Sequence, residues 1–395
     1  MKKLISILVA FAMMATLAVT MSFAATNQSI NLANCKITKI YDVPTGVAAP
    51  EAKFYFKVTP TEFPKSTALN EKFEYIEYAA NAAGGEVSKN LPLSDFIAYG
   101  KNASGKDFNL TQPGEYEFTV VEVAGTPAGI ASDAEKPANT SYFVQDTDTT
   151  TAENLAFEGK QYTLRIYLVN GATDLEVRAV TLVDSTKTDD DTTEDVDESK
   201  VSPETGFQFK NVYTKVINET EANGGAFNVS KTVTGVGDTS VQFPFDVKIE
   251  LDDATTPTPL VGKVGTTEYT FTFTDGVAEV TDVMIAHNQK LVFTTFPAGA
   301  KVSVKEKISN SGIQNAASYV VSNTGAITES VKDAYKTSAP INAKSNVAVT
   351  NDLDQSTITP EGILISNLPY IALALVAIGG LVAYVVIRRR NADEA

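Results

Sequence analysis

The sequence predicts an all-β chain built from tandem antiparallel β-sandwiches. Three observations carry this expectation. Apolar residues alternate with polar ones through most of the chain, the alternating runs are rich in Thr, Val, Phe and Tyr, and Gly, Pro, Asn and Asp punctuate them. Phe54-Tyr55-Phe56-Lys57-Val58, Tyr116-Glu117-Phe118-Thr119-Val120 and Tyr162-Thr163-Leu164-Arg165-Ile166-Tyr167-Leu168 each turn one face to a core and the other to water. The chain has 395 residues, more than one compact sandwich holds and enough for two or three domains.

The chain opens with Met1-Lys2-Lys3 and an apolar run through Ile5, Leu8, Val9, Phe11 and Met14 to Phe23, with Ser22 and Ala24 small before Ala25. This reads as a secretory signal peptide over 1–24. Near the other end, Leu368 to Ile387 is uncharged and Arg388-Arg389-Arg390 follows. That stretch has about the length of a bilayer span, with the arginines holding it from the cytoplasmic side.

Lys+Arg is 32 against Asp+Glu 48, a net charge of -16. Without the leader (Lys2, Lys3) and the tail (three arginines, Asp393, Glu394), the exported body keeps 32 − 5 = 27 positive and 48 − 2 = 46 negative residues, or -19. So acidic a body has no basic face for nucleic acid. One cysteine, Cys35, rules out an intrachain disulfide framework and is expected as a structural thiol. One histidine, His287, rules out His-based triads and multi-His metal sites and is expected at the surface. No cofactor motif is present, and no metal site is expected.

The body carries an approximate duplication. The first copy begins at Ile37-Thr38-Lys39-Ile40 and runs to Phe54-Tyr55-Phe56; the second begins at Val229-Ser230-Lys231-Thr232-Val233 and runs to Phe243-Pro244-Phe245. In each, a Pro/Gly turn leads into a strand ending in Glu, at Glu122 and at Glu306. Each closes with a strand carrying Asn, at Asn211 and at Asn351. Lys to Glu spans 122 − 39 = 83 and 306 − 231 = 75 residues; Glu to Asn spans 211 − 122 = 89 and 351 − 306 = 45. The first copy therefore holds extra chain after its Glu. Part of it is the acidic run Asp189-Asp190-Asp191-Thr192-Thr193-Glu194-Asp195-Val196-Asp197-Glu198, expected as a solvated loop. A calcium-loop reading of that run lacks the EF-hand glycine and the spaced terminal Glu. The polar stretch Glu219-Thr220-Glu221-Ala222-Asn223-Gly224-Gly225 links the copies.

Residues two apart in a strand share a face. Lys231 aligns with Phe227, Val229 and Val233; Lys39 aligns with Cys35, Ile37 and Tyr41; Lys36 falls on the opposite face. Glu122 aligns with Tyr116, Phe118 and Val120, and Glu306 with Val302 and Val304. Asn211 aligns with Phe207, Phe209 and Tyr213, and Asn351 with Val347, Val349 and Leu353. Each copy thus sends one amine, one carboxyl and one carboxamide toward its core. Buried together they must satisfy one another. Desolvation lowers the amine pKa and raises the carboxyl pKa, leaving a neutral nucleophile and a protonated acid. Held in contact, Lys and Asn can condense into an amide with loss of ammonia. The step occurs once per domain, so the chain is not expected to be an enzyme with turnover. The bland alternative is that these are strand-end residues whose polar tips snorkel to water.

This pattern resembles the isopeptide-linkage domains of streptococcal-type pilus backbone subunits of Gram-positive bacteria. The resemblance implies two immunoglobulin-like (collagen-adhesin B-type) sandwiches over 25–218 and 222–355. It implies a Lys39–Asn211 bond assisted by Glu122 and a Lys231–Asn351 bond assisted by Glu306. The region 358–395 resembles a sorting signal, with Thr359-Pro360-Glu361-Gly362 in place of the usual Leu-Pro-x-Thr-Gly form and Glu361 at the scissile position. The implied function is a structural subunit of a sortase-assembled surface pilus, covalently joined to identical subunits and to accessory or tip pilins. Lys200 and Lys210 are the candidate linking lysines. The alternative is a monomeric wall- or membrane-anchored adhesin that grips a host or neighbour ligand with its enlarged first domain. A secreted hydrolase would need paired catalytic carboxylates in a cleft.

Overall fold

The computed structural model describes residues 31–64, 69–81, 83–126, 128–131, 135–186, 200–201, 206–252, 258–309, 311–354 and 360–393. The expected signal peptide 1–24, the acidic run 189–198, and Thr359 of the expected sorting motif lie outside the described residues.

The first sandwich holds β1 (Lys36–Asp42), β2 (Ala52–Glu62), β3 (Lys72–Tyr78), β4 (Val87–Pro92), β5 (Ile97–Tyr99), β6 (Phe108–Leu110), β7 (Gly114–Glu122), β8 (Tyr142–Phe143), β9 (Thr151–Phe157), β10 (Gln161–Asn170), β11 (Leu175–Asp184), β12 (Lys200–Val201) and β13 (Phe207–Asn218). One sheet places β1 between β4 and β13, with β9 also paired to β13. The other runs β12-β11-β10-β7-β2-β3, with β8 on β2. The alternating residues meet between the sheets: Phe54, Phe56, Phe118, Leu164 and Ile166 on one side, Ile37, Tyr41, Phe207, Phe209 and Tyr213 on the other, all buried. Phe209 seats its ring 5.1 Å from both Phe56 and Tyr162, the kind of inter-sheet aromatic contact that stands in for the missing Trp.

The second sandwich holds β14 (Phe227–Gly235), β15 (Gln242–Glu250), β16 (Leu260–Val264), β17 (Thr267–Phe271), β18 (Val277–Ala286), β19 (Lys290–Phe293), β20 (Thr295–Pro297), β21 (Lys301–Glu306), β22 (Val320–Gly325), β23 (Lys336–Thr337) and β24 (Ser345–Leu353). Its sheets run β17-β16-β19-β14-β24-β22 and β18-β15-β21-β23. The fold is thus all-β, with two tandem immunoglobulin-like sandwiches.

The antiparallel expectation fails at the same place in each sandwich, and in the first also between the short β5 and β6, which pair parallel. β1 pairs parallel with β13, and β14 pairs parallel with β24. Parallel neighbours need a long crossover, and here the whole domain lies between first and last strand. Two glycines permit the close approach. A Cβ on Gly206 (φ +71°) would fall 2.0 Å from the Lys36 carbonyl oxygen, and one on Gly235 (φ +70°) 2.2 Å from that of Leu353.

β20 crosses between the sandwiches. It pairs antiparallel with β13, Val216 opposite Pro297, Ile217 opposite Phe296, and Asn218 opposite Thr295. β9 holds the other edge of β13 through Ile217. β20 therefore takes up the edge that β1 leaves after Val212. Phe296 is fully buried and stacks 5.0 Å from Phe227.

The chain after β24 forms a helix over Pro360–Asp393. Its described side chains, 370–386, project apolar groups outward, Tyr370 and Leu373 each 73% exposed. Among the described residues no helix is long and apolar enough to cross a membrane. The proposed span 368–387 extends past the described side chains at both ends.

Candidate functional site

Each sandwich brings its Lys, Glu and Asn into one buried cluster. Parallel pairing sets Lys39 opposite Phe209 and Asn211 two residues further along, opposite Tyr41. The second sandwich repeats that offset, with Lys231 opposite Val349 and Asn351 opposite Val233. The Glu comes from the facing sheet, at the end of a strand whose alternation aims it inward.

In the first cluster, Lys39 Nζ donates to Glu122 Oε2 at 3.0 Å, and Asn211 Nδ2 donates to Glu122 Oε1 at 2.7 Å. In the second, Lys231 Nζ lies 3.0 Å from Glu306 Oε1 as an ion pair, and Asn351 Nδ2 donates to the same oxygen at 2.8 Å. Lys39, Asn211, Glu306 and Asn351 are 0% exposed and Lys231 1%. The Glu122 side chain is 3% exposed, so the clusters do not send their polar tips out to water as the snorkelling alternative requires. Each carboxyl thus holds an amine and a carboxamide together in a dry interior.

Burial pushes the Lys39 amine down from its usual range to about 8, against the pull of Glu122. It pushes Lys231 down to about 8 as well, against Glu306. Glu122 and Glu306 are both raised, again by burial first and with their lysines opposing. All four shifts favour neutral amine and protonated acid over separated charges. Several atoms in the clusters lack a hydrogen-bond partner: Asn211 Oδ1 in the first, and Asn351 Oδ1, Glu306 Oε2 and Lys231 Nζ in the second. Unsatisfied buried groups at two matching positions are costly in a purely structural cluster.

Sequence reasoning missed the floor of each site. Lys39 Nζ sits 4.4 Å from the Phe54 ring centroid, and Lys231 Nζ 4.5 Å from that of Phe243. The next inward residues, Phe56 and Phe245, lie directly opposite Glu122 and Glu306. The signal was present, because Phe-x-Phe occurs at the matching place in both copies. Period two shows that such rings face inward but not which group they meet.

The other singled-out residues scatter. Cys35 is buried, as expected. His287 corrects its surface assignment. It is half-buried at the turn after β18, and its Nδ1 accepts the Val233 N–H at 2.9 Å, fixing β14 two residues past Lys231. Lys210 faces outward, as its phase requires, and pairs with Asp42 at 2.7 Å and Glu86 at 3.1 Å. Lys200 opens β12, and its side chain lies outside the described residues. Pro360, Glu361 and Gly362 form the first turn of the C-terminal helix in backbone terms. Among the described residues no group of acids, His and Cys could hold a metal ion.

Residues 225–352 match a family model described as a domain of unknown function, DUF7601. No curated protein matches the chain. Among solved structures the chain is similar to the major pilin from Streptococcus pyogenes, at 14% identity over 81% of this chain and 99% of that one, TM-score 0.30. It is also similar to the major pilin of a further Streptococcus pyogenes serotype, at 15% identity over 82% and 99%, TM-score 0.29. A pilus-presented adhesin, Cpa, is similar at 11% identity over 81% and 100%, TM-score 0.26.

Proposed function

We propose that this chain is a structural subunit of a sortase-assembled surface pilus whose two sandwiches are each closed by a self-formed Lys–Asn isopeptide bond. The observation that supports it is the repeated cluster: amine and carboxamide on adjacent parallel strands, both against one buried carboxyl. In each sandwich the neutral Lys Nζ attacks Asn Cγ. The Cγ–Nδ2 bond breaks, a Lys–Asn amide forms, and the amine proton leaves with Nδ2 as ammonia. Glu122 and Glu306 move that proton. A half-turn of either carboxamide presents its unpartnered Oδ1 to the protonated carboxyl, which then polarises Cγ. The bonds would be Lys39–Asn211 and Lys231–Asn351.

Intact mass tests this directly. The exported body is expected to weigh less than its sequence by two ammonia molecules, about 34 Da. A mass equal to the sequence removes the proposal. Assembly is read separately: a denaturing gel of the cell-wall fraction should give a high-mass ladder, whereas a single monomer band supports the anchored adhesin instead. Anchoring would use the segment 358–395 and a sortase that accepts Glu361. Lys210 or Lys200 would supply the linking amine.

Blocking the reaction exposes the cost of the buried amine. In Glu306→Gln, Lys231 loses the carboxyl that opposed its desolvation, so its folded-state pKa falls below the wild-type value of about 8. The unfolded chain keeps a lysine near 10.4. Between those values the unfolded chain holds a proton that the folded one lacks, so stability rises with pH. The expected slope in urea titrations is about 1.4 kcal/mol per pH unit, flattening above pH 10.5, and Lys231→Met in the same background should remove it.

A further inference from the structure

Glu306 ends β21 and is flanked by Lys305 within the strand and Lys307 just past it, both on the phase opposite the core-facing Val302, Val304 and Glu306. Both ammonium groups converge on one carboxylate, Asp246 of β15, at 2.8 Å and 3.0 Å. Asp246 Oδ1 also accepts the Asp282 N–H at 3.1 Å, and Asp246 is only 3% exposed. A buried carboxylate on the outward phase of a strand needs such partners. Asp282 pairs in turn with Lys307 at 2.5 Å, and the Tyr335 ring lies 4.6 Å from Lys305 Nζ.

This cluster sits on an irregularity in the sheet. β15 and β18 pair Phe245 with Val283 but Val247 with Val280, so Thr281 and Asp282 together oppose Asp246. Asp282, within this irregularity, has a left-handed backbone, with φ +58°. On its other edge β15 pairs Asp246 with Lys305 and Phe245 with Glu306. The charge clamp therefore closes one residue from the carboxyl that touches Lys231 and Asn351. In the first sandwich Glu122 is flanked by Val121 and Val123, so no equivalent clamp forms there.

We propose that Asp246 is a positioning residue for the condensation in the second sandwich: by drawing Lys305 and Lys307 onto the bulge it fixes the end of β21 and so the placement of the Glu306 carboxyl. The proposal rests on the isopeptide reading above. Without the aspartate charge, two lysines on one face of the strand repel each other and the strand end is free to shift. A displacement on the order of 1 Å at a reacting centre costs about 100-fold in rate.

The experiment follows ammonia loss after a labelling pulse in the full exported body, with cross-linked peptides assigning each bond to its sandwich. In Asp246→Asn the Lys231–Asn351 bond is expected to form 10- to 100-fold more slowly. The Lys39–Asn211 bond in the same molecule should keep its wild-type rate. Asp246→Glu should recover part of the loss. A core variant at Ile249, chosen between Val and Ala to match the thermal midpoint of Asp246→Asn, should condense at the wild-type rate. If Asp246→Asn does not fold, Lys305→Gln/Lys307→Gln removes the other half of the clamp and should slow the same bond. Wild-type rates in these variants, or equal slowing in the matched Ile249 variant, overturn the proposal. Failure of the isopeptide reading would show instead in the wild-type protein, as no ammonia loss from either sandwich.

Discussion

Glu306→Gln is expected to leave the second sandwich uncross-linked and to lower its thermal midpoint by on the order of 15 to 25 °C. The carboxyl is fully buried and, among the described residues, is the only acid whose contacts join Lys231 to Asn351. Glutamine keeps the shape and a donor but cannot take and return a proton. Without condensation the variant retains the mass of one ammonia, about 17 Da, which verifies the lesion independently of stability. The stability loss has two sources. Treated as a disulfide-like closure of the 231-to-351 loop, the bond contributes roughly 5 kcal/mol through the unfolded chain. The unreacted amine adds the desolvation cost that lowers its pKa. Differential scanning calorimetry against wild type should show the second transition displaced and the first in place. An unchanged second transition in a variant of proven higher mass would mean that the bond, where it forms, carries no stability.

The second large effect is mechanical. Pulled between its ends, the wild-type body should show no long unfolding step. Tension entering at Lys39 passes through the bond to Asn211 and along β13, so the chain between 39 and 211 is never loaded. Glu122→Gln removes that bypass. The 211 − 39 = 172 residues then become extensible, about 580 Å of contour at ~3.4 Å per residue. Glu306→Gln should release 351 − 231 = 120 residues, about 410 Å by the same measure. Single-molecule force spectroscopy separates the two by step length. Long steps in the wild-type protein at forces that open ordinary sandwiches would contradict the bypass.

Much of this site was legible because the side-chain period of a strand is so strict. Lys39, Lys231, Glu122, Glu306, Asn211 and Asn351 each stand out as polar residues on an apolar phase, and the structure buries five of them with the Glu122 side chain only 3% exposed. What the phase does not encode is the partner across the sheet. Phe54 and Phe243 read as ordinary core positions, and their place under the lysines follows only from sheet pairing. Asp246 was hidden for a related reason. Its phase points to water, and only the bulge opposite it and the paired lysines account for its burial. His287 misled because a lone ring in a turn gives no hint of the backbone N–H it receives. β20 has three residues and ends in proline, too short to separate from a turn, and its partner belongs to the other sandwich.

That strand also bears on how the gene should be cut. A fragment ending at Asn218 would keep every residue of the first sandwich yet leave Val216 to Asn218 without their neighbour on one side. Bare strand margins recruit other chains. Such a half-protein is expected to self-associate, while the undivided body, whose own Thr295–Pro297 segment occupies that margin, stays monodisperse.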